Sequence, residues 1–294
     1  MKRILIVGCG DIAMRVASLL QAGSRAQYRL FGLVRNADHH QDLREAGIIP
    51  MLGDLDDRQS VHRLAGLAHT VLHFAPPANA GVEDPRTRNL LAALARGRLP
   101  QQLIYISTSG VYGDCGGAVV SETHPLNAQN ARAQRRVHAE KQIRIWAKRN
   151  GVHASILRVP GIYAADRLPV QRLQQGTPAI VATEDSYTNH IHADDLARCV
   201  VAAMYHAKPN RVVHTSDDSA LKMGAYFDAV ADAHDLPHPP RISRAEAQRV
   251  LSPLMLSFMN ESRRLTNTRM KCELKVALNY PTVADALQEI KIKL

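Results

Sequence analysis

A chain of 294 residues is long enough to bury a large core, and its 46% apolar and 22% charged residues are those of a soluble globular protein. The longest apolar runs, ILIV at 4–7 and LARCVVAAM at 196–204, fall far short of the roughly 20 residues a membrane span needs, so no membrane partner is expected. The formal charge of +10 would suit a nucleic acid or a phosphorylated small molecule, but only 4% of residues are aromatic and no stacking platform is visible, which argues against nucleic acid.

The chain starts MKRILIVGCGD, a basic pair and a short apolar run before Cys9. Four apolar residues are too few for the about 7–15 of an export signal, so this stretch reads as a buried first strand and a cytoplasmic location is expected. Cys9, Cys115, Cys199 and Cys272 lie far apart with no C-x-x-C, the pattern of reduced thiols, and no metal is expected.

Strands are expected at residues 3–8, 28–34, 48–52, 70–75, 102–107 and 153–159, where β-branched runs occur. Helices are expected at 12–21, 40–46, 58–65, 87–95 and 132–149. Such alternation gives βαβ units and a doubly wound parallel α/β sheet of the Rossmann type. After Pro160 the alternation breaks. Residues 161–189 carry loop and short-helix signals, 192–204 read as a helix, 211–216 as a strand, and 221–294 as mainly helical with proline punctuation. The expected organisation is a dinucleotide-binding domain over residues 1–165 with a returning segment at about 190–216. A smaller, interleaved substrate lobe over 166–294 would sit above the strand ends, where open α/β sheets bind ligands.

Gly8-Cys9-Gly10-Asp11-Ile12-Ala13 follows the first strand and opens the first helix, which is the context of a dinucleotide fingerprint. Gly8 permits the tight turn, Gly10 the approach of a pyrophosphate, and Ala13 close helix–sheet packing; Asp11 and Ile12 begin the helix whose N-terminus faces the anion. Where an NAD-selective protein places a carboxylate at the end of the second strand, this chain has Arg35 and Asn36. A guanidinium suits a ribose 2′-phosphate, so NADP(H) is expected over NAD(H). Asp54 and Leu55 after the third strand, and Ala75 and Pro76 after the fourth, are further candidate cofactor contacts.

Together with GCGDIA and Gly53-Asp54-Leu55, the stretches STSGVYGD at 107–114, LRVPGIY at 157–163 and NHIHADDLA at 189–197 make the chain resemble the extended short-chain dehydrogenase/reductase superfamily. The closer likeness is to atypical members of the NAD-dependent epimerase/dehydratase family, including the YeeZ-like group. The resemblance implies cofactor contacts at Ser107 and Pro160, substrate polarisation at Thr108 and a substrate contact at Ser109. It also implies a catalytic tyrosine and, four residues on, a lysine. Those two positions fall on Arg132 and Arg136 in the segment ARAQRRVHAEKQI, with Glu140 matching the acidic residue that usually follows.

A guanidinium, with a pKa above about 12, cannot cycle protons near neutrality, but Arg132 and Arg136 share one helix face and can hold an oxyanion of a substrate. Tyr112 is the leading replacement acid or base; Tyr163, His124, His138, His190 and His192 are the others, although capping of the following helix suits His192 better. Asp194 and Asp195 read as helix N-terminal carboxylates. In the tail, Arg263, Arg264 and Arg269 could grip a diphosphate.

Two functions remain open. One is an NADP-dependent oxidoreductase or epimerase-like enzyme for a small polar substrate, free or nucleotide-linked; the other is a non-catalytic NADP(H)-binding sensor or regulatory partner. A homodimer is one assembly compatible with either.

Overall fold

A computed structural model describes residues 1–23 and 27–293. Seven parallel strands form the central sheet: β1 (Lys2–Val7), β2 (Tyr28–Val34), β3 (Ile48–Leu52), β4 (Thr70–His73), β5 (Gln102–Thr108), β6 (His153–Val159) and β7 (Arg211–His214). Their spatial order is β7-β6-β5-β4-β1-β2-β3. The order reverses at β1, which pairs with β2 on one side and β4 on the other, and a crevice opens at such a switch point beyond the strands' carboxyl ends.

Helices cover both faces. They are α1 (Asp11–Gly23), α2 (His40–Glu45), α3 (Pro85–Leu94), α4 (Ala131–Asn150) and α5 (Ala193–His206). The period of two along β1 sends Ile4 and Ile6 into a core with α1 and α5, and Leu5 and Val7 into a second core with α3 and α4. Burial on both faces explains why the strand is a continuous apolar run rather than an alternating one. The fold is therefore the expected doubly wound α/β sheet.

A third core, built around Tyr163, Leu173, Ile180, Phe227, Val230 and Leu287, belongs to the C-terminal part, where α6 (Met223–Ala233) and α7 (Val283–Lys293) pack together. The expectation of a mainly helical tail holds as far as Lys293; residue 294 lies outside the described residues. Short parallel pairings, Gly161–Tyr163 with His190–His192 and Val119–Val120 with Arg264–Leu265, stitch this part to the sheet end. The fully buried Asp195 adds a polar clamp, accepting from the backbone N–H groups of Asn279 (2.8 Å) and Tyr280 (2.9 Å). Its role thus exceeds the helix-end carboxylate expected from sequence.

One expected element is absent. Residues 58–65 form only a 3-10 turn at His62–Leu64 rather than a helix. Ser60 Oγ donates to the carbonyls of Asp54 (3.0 Å) and Asp57 (2.8 Å), and the Asp57 carboxylate accepts from the Gln59 N–H (2.9 Å). These side chains take backbone partners a helix would need. Among the described residues no helix is long and apolar enough to cross a membrane, and no cluster of His, Cys, Asp and Glu could hold a metal ion.

Candidate dinucleotide and substrate site

At the end of β1 the backbone of Gly8 has φ +96°, and a Cβ there would lie 2.5 Å from the amide nitrogen of Ala75. That nitrogen donates to the Val7 carbonyl at 2.8 Å, so the β4 end is held against the turn and only glycine fits between them. Gly10 differs: a Cβ built there meets nothing within 4 Å. The open space lies at the N-terminus of α1, with Ala13 buried beneath. Backbone N–H groups and the positive end of the helix dipole suit a pyrophosphate there, so the turn fits the anionic centre of a dinucleotide. The Asp11 carboxylate accepts from Arg15 Nε (2.8 Å) and lies 3.6 Å from Arg167, while Arg15 also pairs with Asp194. Arg15 and Arg167 thus both face the Asp11 carboxylate beside the turn, with Arg15 shared between it, Asp194 and Asp166.

The loops after β2, β3 and β4 form a wall that carries the other expected cofactor contacts. Arg35 and Asn36 are exposed, with Asn36 Nδ2 donating to Asp38 at 2.5 Å. The Asp54 carboxylate accepts from the Asp56 N–H (2.9 Å), while Leu55 is buried and its carbonyl accepts from Asn89 Nδ2 (2.8 Å). Arg86 of α3, not anticipated from sequence, ties this wall together. It forms a two-pronged pair with Asp56 (2.8 and 2.6 Å) and donates to the carbonyls of Pro76 and Pro77. The hydrogen bond from Arg86, aided by the charges of Arg86 and Arg35, holds the Asp56 carboxyl below its usual range.

Beyond the ends of β4, β5 and β6 lies a cleft of about 510 Å³ whose lining includes Pro76, Thr108, Ser109, Arg132, Arg136 and Pro160. The fold therefore gathers these six residues singled out by sequence, together with His190 and Arg263. Thr108 ends β5 and caps the 3-10 turn Ser109–Tyr112, accepting from the Gly110 N–H at 3.2 Å. Arg136 donates to the Tyr105 hydroxyl (2.9 Å) and the Ile106 carbonyl (2.8 Å), and the Arg132 guanidinium lies 4.3 Å from the Phe258 ring centre. Three further lining residues, Arg135, Arg167 and Glu261, were not read from sequence. Glu261 accepts from Asn130 Nδ2 and from Arg263, each at 2.9 Å, and so binds the N-cap of α4 to the C-terminal part. Of the tail arginines only Arg263 lines the cleft; Arg264 donates to the Gly117 carbonyl and Arg269 to that of Val212.

Residues 4–214 match the model of the NAD dependent epimerase/dehydratase family. The chain belongs to that family. Among solved structures, a functionally unknown conserved protein from Silicibacter pomeroyi DSS is 28% identical over 100% of this chain and 99% of its own, with a TM-score of 0.81. The UDP-glucuronic acid 4-epimerase of Bacillus cereus, solved with UDP-glucuronic acid and NAD, is 18% identical with a TM-score of 0.77, covering 99% of this chain and 98% of its own. The UDP-glucose 4-epimerase of Thermotoga maritima, solved with UDP-glucose, is 16% identical with a TM-score of 0.78, covering 99% and 97%. At these last two identities the likeness is one of fold. No curated protein matches the chain.

Within this epimerase/dehydratase fold the structure corrects two expected site residues. Tyr112 does not reach the cleft: its side chain is 1% exposed, and its hydroxyl accepts from Arg158 (2.6 Å) and bonds His214 Nε2 (2.5 Å). Burial pushes its hydroxyl up to about 12, so it keeps its proton at neutral pH, and the expected acid–base role is withdrawn. Replacing Tyr112 with phenylalanine should cost about 1–3 kcal/mol in chemical denaturation, because buried partners lose a hydrogen bond, and leave cofactor affinity unchanged. A drop in affinity without a drop in stability would contradict this placement. Ser107 is likewise buried, its hydroxyl donating to Glu140 at 2.6 Å, so its side chain is withdrawn as a cofactor contact. Of the other acid–base candidates His190 lines the cleft, and burial pushes it down to about 4, leaving a neutral imidazole at pH 7. His192 accepts from the Asp194 N–H as the N-cap of α5, His138 accepts from the Asp84 N–H, and Tyr163 is buried.

Proposed function

We propose that this protein is an NADP(H)-preferring enzyme of the oxidoreductase or epimerase type, acting on a small polar, nucleotide-linked substrate held in the cleft. The observation that carries this reading is the open, glycine-bounded end of α1 beside a cleft lined by Thr108 and Ser109. Gly8, Gly10 and the first turn of α1 would hold the pyrophosphate, the loops carrying Asp54, Leu55 and Ala75 the adenosine side, and Pro160 the nicotinamide side. When bound, the cofactor supplies a hydride acceptor or donor. Thr108 would orient a substrate oxygen through its hydroxyl, and the proton would be handled by a group other than tyrosine, since Arg132 and Arg136 occupy the positions that the resemblance gives to tyrosine and lysine.

The preference for NADP(H) rests on Arg35, exposed at the carboxyl end of β2. A charge-assisted fork to a 2′-phosphate is worth about 1.5–3 kcal/mol, so Arg35→Ala should lower the NADPH-to-NADH affinity ratio by about tenfold or more. An unchanged ratio would remove the preference while leaving dinucleotide binding intact.

The second reading is a non-catalytic NADP(H) sensor, favoured by the commitment of Arg136 to Tyr105 and Ile106. Titration with NADPH followed by a turnover screen on carbonyl compounds and nucleotide sugars, repeated with Thr108→Ala, separates the two. Turnover that falls in the variant supports the enzyme; tight binding with no turnover supports the sensor.

A further inference from the structure

The cleft has an unusual charge balance. Arg132, Arg135, Arg136, Arg167 and Arg263 line it, against the single carboxylate of Glu261. That carboxylate is already engaged by Asn130 and Arg263. Arg135 and Arg263 are each only 8% exposed, and the Nε–H of each is buried without a protein acceptor. Arg135 Nη1 donates to the Gly81 carbonyl (2.6 Å) and Arg263 Nη1 to that of Gly113 (2.8 Å), which fixes both guanidiniums in the cleft wall. The Arg132 guanidinium carbon lies 4.3 Å from the Phe258 ring centre, a cation–π contact that uses none of its N–H donors.

The charged groups of the cleft are nearly all donors, a balance that favours an anion over a neutral sugar, whose hydroxyls need acceptors as well. Asn189 is spent on the backbone, donating to the Arg263 carbonyl and accepting from the Leu265 N–H. Thr108 Oγ accepts from Gly110. What remains in excess is positive charge carried on rigid forks.

We propose that the cleft is an oxyanion receptor, with Arg132, Arg135 and Arg263 as its principal donors, and that the substrate carries at least two negatively charged oxyanion groups, phosphate or carboxylate. The proposal rests on reading the cleft as the substrate site, and it names the class of substrate admitted there. One group is taken by Arg263 and Ser109, whose side chains already lie 3.4 Å apart, and another by Arg132 and Arg135 from α4. The arginines at 132 and 136 thereby act as binding groups, with Arg136 fixing the floor through Tyr105 and Ile106.

The test is calorimetric titration of the full-length protein, first with NADPH alone and then, in the presence of saturating NADPH, with pyrophosphate, citrate and glucose as probes. Saturable binding of pyrophosphate or citrate, none of glucose, and a loss of about tenfold or more in Arg132→Gln and in Arg263→Gln is the expected result. The tighter of the two anions assigns phosphate or carboxylate. Arg132 is exposed, so its variant folds even where the buried Arg263 variant does not. No anion binding, binding of glucose equal to that of the anions, or anion binding unchanged in Arg132→Gln overturns the proposal. A protein that ignores NADPH but binds an anion through Arg132 sinks the cofactor reading and keeps this one, because an anion lodged at the Gly10 turn would not sense residue 132.

Discussion

Replacing Glu140 with alanine should be among the most damaging single changes in the molecule, lowering stability by about 3–5 kcal/mol in chemical denaturation. Glu140 and Arg158 are 2% and 3% exposed and form a two-pronged pair, with Arg158 Nη2 at 2.7 Å and Nε at 3.1 Å from the carboxylate. Ser107 donates to the same carboxylate, and Arg158 also donates to the Tyr112 hydroxyl and to the Glu122 carbonyl (3.2 Å). One network therefore joins β5, α4, β6 and the loop after β5 directly beneath the cleft. Removing one partner leaves the other charge buried and uncompensated, which is why the cost far exceeds that of an exposed pair. Exchanging both for leucine should recover much of the loss. If Glu140→Ala and a surface change such as Glu83→Ala cost the same, the buried network is not what holds the cleft floor.

The second large effect contrasts two glycines. Gly10→Val should abolish measurable dinucleotide binding with almost no change in melting temperature, because its side chain would enter space that is open in the protein and required by the pyrophosphate. Gly8→Val should instead destabilise the fold. Its side chain would meet the Ala75 backbone at 2.5 Å, and a β-branched residue tolerates φ +96° poorly. Equal effects of the two on melting temperature, or full cofactor affinity in Gly10→Val, would show that the turn does not serve a phosphate.

The glycine turn and the sheet were legible because their signals are local. Each sheet strand is a contiguous apolar or β-branched run, and GCGDIA sits between a strand and a helix within a dozen residues. The cleft was only half legible. Thr108, Ser109, Arg132 and Arg136 could be placed by their likeness to family stretches, whereas Glu261 was missed and Arg263 was one of three tail arginines with nothing to rank them; both reach the cleft from a segment more than a hundred residues further along the chain. No periodicity connects them. Arg135 was hidden by its neighbours: in a helix carrying so many basic residues, sequence does not say which one is buried, and the face turned inward is set by Ala139, Ile143 and Ala147 packing under it. Tyr112 was misplaced because adjacency to a strand end fixes position but not direction. The 3-10 turn after Thr108 rotates the ring into the core, where Arg158 and His214 await it. Arg158 itself had a readable sign, a charge next to the apolar run Ile156-Leu157 near the end of the strand HASILRV, which demands a buried partner.

The most direct measurement of the central claim is calorimetry of the unmodified protein with NADPH and NADH. One site per chain is expected, occupied by either dinucleotide and more tightly by NADPH, with binding lost in Gly10→Val. Absence of heat and of any stabilisation with both coenzymes, in protein shown to be folded, would contradict it.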